Sequence, residues 1–196
     1  MELDARHLAA RLVDGICARA PERALVDALS RFGTDALHCA LSGGVRVVPL
    51  PRGALYRELS RALARLGIDV DAWPAPPAGL FVVEERTVYL RSRSPMTIAH
   101  EFGHALDCVL GGGVYRSGID PVVRGAFAAA RSFVTPYAAT GLDEYFAEAL
   151  RAYVEVNDAA SAWPPATRAR LQRIDPPLHA YVDDLFTFGF KQSSAA

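Results

Sequence analysis

The five residues that most constrain this chain are His100-Glu101-Phe102-Gly103-His104. On a helix, positions i and i+4 share one face about one turn apart, so the two imidazoles of an HExxH pattern can reach one cation together. Imidazole donors suit Zn²⁺, at roughly 2.0–2.1 Å. Glu101 follows the first ligand and can lean over the same point, where a carboxylate takes a proton from an activated water. Ile98, Phe102, Leu106, Val109 and Leu110 form an apolar face on the same stretch, to be covered by a core. Gly103 leaves space for another element to pack close beside the histidines.

The flanks of the motif agree with a helix. Ser94 stands where a cap belongs, Pro95 suits the first helical position, and Gly111-Gly112-Gly113 ends the run. Upstream, Phe81-Val82-Val83 and Thr87-Val88-Tyr89-Leu90 flank the charged Glu84-Glu85-Arg86, which reads as a hairpin over residues 80–92. A HExxH helix after such a hairpin is the arrangement that metal-dependent peptidases need. Residues 3–32 carry a helical pattern broken near Pro21, residues 38–50 read as a short strand, and residues 53–66 as a helix ended by Gly67. A Pro-rich loop covers residues 73–79, residues 111–141 are Gly-rich and mixed, and helices are expected at about 142–156 and 177–188. The class is α+β in a single domain over 1–196, with N-terminal helices and a small sheet up to about 93 and a mainly helical half over about 94–190.

Composition sets the outer limits. With 51% hydrophobic and 22% charged residues among 196, the chain can bury a real core and is not disordered. Lys plus Arg is 21 against 22 for Asp plus Glu, so the basic excess of a nucleic-acid binder is missing. No apolar run approaches the ~18 residues of a membrane span. The opening MELDARHLAARLVDG is not a secretory signal, which points to the cytoplasm or to export by a leaderless route, unless a secreted protein has been trimmed. Cys17, Cys39 and Cys108 are odd in number and lack CxxC spacing, so they read as small core hydrophobes.

A catalytic zinc wants three protein ligands and one open position. Asp107 shares the helix face of His100 and His104, but three ligands from one straight helix must splay, so a helix-orienting hydrogen bond suits it better. His179 is isolated between Leu178 and Ala180. Glu144 and Glu148 sit at i and i+4 in the 142–151 stretch LDEYFAEALR, where like charges repel by a few tenths of a kcal/mol in an isolated helix. A solvated face tolerates that, and Arg151 can relieve Glu148. A bound dication removes the repulsion instead: Glu144 then binds zinc, and Glu148, one turn on, accepts a hydrogen bond from a ligating imidazole and fixes its tautomer.

HEFGHALD at 100–107 and TPYAATGLDEYFAEALRAY at 135–153 make the chain resemble the catalytic domain of anthrax lethal factor and the Pro-Pro endopeptidases that share that gluzincin, zincin-like domain. The resemblance is strongest over residues 94–156. It implies a small mixed sheet whose edge strand holds the substrate, beside a largely helical half. It implies His100, His104 and Glu144 as zinc ligands, Glu101 as general base, and Tyr137, seven residues before Glu144, as the group that helps the tetrahedral intermediate. The activity implied is zinc-dependent endopeptidase hydrolysis of a peptide or protein, toxin-like or Pro-Pro-directed. The strand at 87–91 is the expected partner for an extended substrate, and Gly111–Gly113 is expected near the cleft.

Two other readings compete. One is a cytosolic regulatory metalloprotease cleaving a single repressor, of the ImmA/IrrE type. The other is a zinc-binding interaction module without catalysis, against which Glu101 argues, since a structural zinc has no use for it. The chain itself contains Pro76-Pro77, Pro164-Pro165 and Pro176-Pro177, so a protease cutting any exposed Pro-Pro bond would threaten itself.

Overall fold

The computed structural model describes residues 2–13 and 22–193; Cys17, Ile16 and the break at Pro21 lie outside them. Three helices open the described chain: α1 (Glu2–Leu12), α2 (Arg23–Ser30) and α3 (Gly33–Ser42). Strand β1 (Arg46–Pro49) leads to two short helices, α4 (Tyr56–Leu59) and α5 (Arg61–Leu66), and then to the hairpin β2 (Gly79–Val82) and β3 (Thr87–Leu90). The HExxH helix is α6 (Pro95–Leu110). After it come α7 (Arg116–Ile119), α8 (Pro121–Ala129), α9 (Leu142–Tyr153), α10 (Arg168–Ile174), α11 (Pro176–Asp184) and α12 (Phe190–Ser193). The class is α+β, as the pattern implied.

The sheet has the order β1-β3-β2. β3 runs parallel to β1 and antiparallel to β2. Alternation divides its side chains cleanly. Val47, Phe81 and Val88 face the main core, while Val48, Val82 and Tyr89 face a smaller cluster with Leu50, Tyr56, Leu63 and Val70. Because β3 is flanked on both sides, it has no free edge. The expectation that residues 87–91 receive an extended peptide is therefore corrected: beside α6, the free edge belongs to β2.

Several elements depart from the periodicity reading. Residues 38–42 are helical, not the start of a strand, because α3 runs through them with Ala36, Leu37, Cys39 and Ala40 buried. The 53–66 helix is two pieces. Ser60 is extended between them, and its hydroxyl accepts from Leu63 N at 3.1 Å to cap α5, which Gly67 ends in a left-handed turn at φ 67°. Ser94 occupies the cap position of α6, but its hydroxyl donates to Asp158 at 2.6 Å instead of closing the helix. Helices α7, α8 and α10 were not expected. Asp120 accepts from Val122 N and Val123 N to start α8, and Thr167 accepts from Arg170 N to start α10.

Helix α6 is the centre of the molecule. Both its apolar and its histidine faces are buried, with Ile98, Phe102, Ala105 and Leu106 fully covered; Val109 and Leu110 stay half-buried. It packs on α2, α3, the hairpin and, most extensively, α9. Gly103 makes the α9 contact possible. A Cβ there would lie 3.0 Å from the Cα and 3.1 Å from the carbonyl oxygen of Ala147. Replacing Gly103 with Val should lower stability by about 1–3 kcal/mol, since overpacking against backbone outweighs the modest propensity gain over glycine. Chemical denaturation reads this directly; an unchanged midpoint would mean α9 can retreat without cost.

Candidate metal centre

Helix α6 brings His100 and His104 to one face, and the crossing of α9 over Gly103 brings Glu144 against them. His100 Nε2 lies 3.1 Å from His104 Nε2. Glu144 Oε2 lies 3.0 Å from the first and 3.3 Å from the second. Ligands about 2.0–2.1 Å from a tetrahedral ion stand roughly 3.3 Å apart, so the triangle has the size of one face of a zinc site. Glu144 Oε2 is also buried without a well-formed hydrogen bond, as is His104 Nδ1. Three converging donors with an unsatisfied carboxylate oxygen among them suit a cation, and the N₂O donor set suits zinc.

The electrostatics follow from this crowding. Burial opposes charge on His100, but the Glu144 and Glu148 carboxylates beside it carry its pKa up to about 10. Burial acts to raise the Glu144 carboxyl, yet the two imidazoles beside it hold it down at about 2. Glu101 is pushed the other way. Burial raises its carboxyl, only partly offset by His100, His104 and a hydrogen bond from Phe81 N–H. A Cβ on Gly79 would come within 2.5 Å of Glu101 Cγ, so β2 leaves the carboxylate its place only by lacking a side chain there.

Glu148 reaches His100 from behind the donor cluster. Its Oε1 meets His100 Nδ1 at 2.9 Å. Arg151 grips both oxygens at 2.8 Å, and Thr135 donates to Oε2 at 2.6 Å. All three side chains are almost fully buried. Thr135 Oγ1 also accepts from Ala138 N at 3.2 Å, in the 3-10 turn Tyr137–Ala139. One hydroxyl thus links the carboxylate behind His100 to the turn that presents Tyr137. That tyrosine is half-exposed, its ring centroid 5.3 Å from that of His100, and its hydroxyl bonds to Glu144. Burial and the Glu144 charge push its pKa well up.

Not every candidate comes to the site as expected. Asp107 is fully buried, and its two oxygens accept from Ser117 N at 2.8 Å and Ser117 Oγ at 2.6 Å, fastening α7 to α6. His179 lies away from the cluster, with its ring 5.9 Å from that of Tyr153. Gly111–Gly113 closes the C-terminal end of α6 and does not line the cleft. The cleft holds about 260 Å³ and is bounded by Pro77, Gly79, Met96, His100, Glu101, Tyr137 and Trp163, among others. Gly79, Met96, Thr135 and Trp163 escaped the sequence reading, because nothing in their local pattern announces where they meet.

No family profile and no curated protein matches the sequence. Among solved structures, the chain is similar to the Pro-Pro endopeptidase PPEP-2 from Paenibacillus alvei, with a TM-score of 0.62 and 23% sequence identity over 91% of this chain and 99% of that one. The two share a zincin-like fold.

Thr135→Val removes one of the hydrogen bonds to a buried carboxylate while keeping the side chain's shape. It should cost about 1–3 kcal/mol of stability, with Thr135→Ser recovering most of it, in paired denaturation curves. Equal stability of all three proteins would show that Arg151 and His100 satisfy Glu148 without it.

Proposed function

We propose that this protein is a zinc-dependent endopeptidase acting on peptides or proteins. The observation that carries the reading is the convergence of the His100, His104 and Glu144 donor atoms, with His100 and Glu101 of α6 lining one cleft. Zinc, when bound by those three side chains, supplies a Lewis acid that polarises a peptide carbonyl and acidifies water.

The chain's own groups do the rest. Glu101, its carboxyl already raised by burial, accepts the proton of the attacking water and hands it to the leaving amine nitrogen. Tyr137 turns its hydroxyl from Glu144 to donate to the oxyanion that develops on the attacked carbonyl. Glu148, held by Arg151 and Thr135, keeps the His100 ring in one orientation. The substrate runs along β2. Ala78 O accepts from Arg91 N and Ser92 N, so alternation turns the backbone groups of Gly79 and Phe81 away from β3; Phe81 N–H is taken by Glu101, and the Gly79 groups and Phe81 carbonyl face the side an extended peptide would pair with. Peptides with a Pro-Pro bond are the first substrates to try, given the specificity named for the similar structure.

Mass spectrometry of a diverse peptide library tests the activity. Zinc-loaded wild type should cleave it, a chelator should stop cleavage and zinc restore it; no cleavage by zinc-loaded protein would overturn the proposal. Glu101→Gln should keep its metal and lose about 100- to 10,000-fold in kcat, and equal turnover would remove Glu101 from the mechanism. Glu144→Ala should weaken zinc binding by at least about 100-fold in chelator competition; unchanged metal content would reassign the third ligand. Tyr137→Phe should lower kcat by roughly 100-fold with little change in KM, and a change confined to KM would make it a binding residue.

A further inference from the structure

Beyond the donor cluster and the proposed reacting groups, the cleft lining is mostly apolar and includes a tryptophan. Trp163 is 44% exposed, yet it lines the same cavity as His100, Glu101 and Tyr137. Pro77, Ala78 and Met96 line the same cavity. Of the charged side chains lining the cavity, Glu148 and Arg151 are paired with each other at 2.8 Å, and Glu101 accepts from Phe81 N–H and is the proposed general base.

The loop that carries Trp163 is held firmly. Asn157 and Ala166 exchange two hydrogen bonds of 2.9 Å across its base. Asp158 accepts from Ser94 at the start of α6, and Arg151 donates to Val156 O and Asn157 Oδ1. The arginine that grips the carboxylate behind His100 therefore also fastens the loop. A partly wet indole on a loop tied at its base is a platform for an apolar group, since covering it removes apolar surface from water.

We infer that Trp163 is a specificity-determining residue: with Met96 and Pro77 it receives an uncharged, apolar side chain of the peptide next to the scissile bond. The inference rests on the endopeptidase reading and names the class of substrate for that site. A Gly residue would leave the indole wet, and a charged side chain would lose its water against a surface with no free countercharge.

The test uses peptides identical except at single positions beside the cleaved bond, swept through Pro, Leu, Phe, Gly, Asp and Lys. Trp163→Ala should lower kcat/KM at least tenfold for the apolar peptides, change the Gly peptide less than threefold, and leave zinc content intact. Trp163→Phe should recover most of the loss. An equal loss for every peptide, or none for any, overturns the inference.

A second readout does not need turnover. The chain has two tryptophans, and Trp73 is not among the residues lining the cleft. In Trp73→Phe/Glu101→Gln protein, apolar peptides should shift and saturate the fluorescence of Trp163, while Asp and Lys peptides do not. No shift with any peptide that binds overturns the inference even if the enzyme reading stands. A saturable shift in a zinc-loaded protein whose wild type cleaves nothing would keep the apolar platform and remove the endopeptidase reading.

Discussion

The site depends on the crossing of α6 and α9 at Gly103. The two backbones approach so closely there that a methyl group on Gly103 would sit 3.0 Å from the Cα of Ala147. Glu144 and Glu148 stand three residues before and one residue after Ala147 on the same helix, so this contact sets how far each carboxylate reaches toward the histidines. A side chain at Gly103 would hold the helices apart, and the 3.0 and 3.3 Å approaches of Glu144 to the imidazoles would open. Small residues at a helix crossing are ordinary packing; here the packing distance also sets the spacing of the His100, His104 and Glu144 donor atoms.

A chain of hydrogen bonds behind that crossing ties separate segments together. Glu148 lies between His100, Arg151 and Thr135. Thr135 continues to the turn of Tyr137, and Arg151 to the base of the loop that bears Trp163. A buried carboxylate is costly unless every lone pair is used, and Glu148 meets that condition with four contacts from three partners. The network links the histidine face, the tyrosine turn and the loop that bears Trp163.

Much of this was legible in the sequence. The HExxH spacing on an apolar helix, the Pro95 start and the Gly111 stop located α6 to the residue, because periodicity and termination are local properties. The i, i+4 pair Glu144 and Glu148 pointed to one shared face for the same reason. The hairpin was visible in two β-rich runs around a charged turn. What failed were short elements without a full apolar period. Residues 38–42 looked strand-like before Gly43-Gly44 but continue α3, whose buried face is made of small residues, Ala36, Cys39 and Ala40, rather than a bold stripe. The helices α7, α8 and α10 are held by caps and by contacts with distant partners, such as Ser117 on Asp107.

By itself the sequence determined the elements that carry chemistry and the donor types they offer, because helix geometry converts spacing into direction. It could not decide which groups from different elements meet. That Gly79 stands aside for Glu101, that β2 and not β3 has the free edge, that Asp107 serves α7 instead of a histidine, and that Trp163 reaches the cleft are all consequences of packing between segments far apart in the chain. Such contacts depend on the summed fit of a whole core, which no local pattern records.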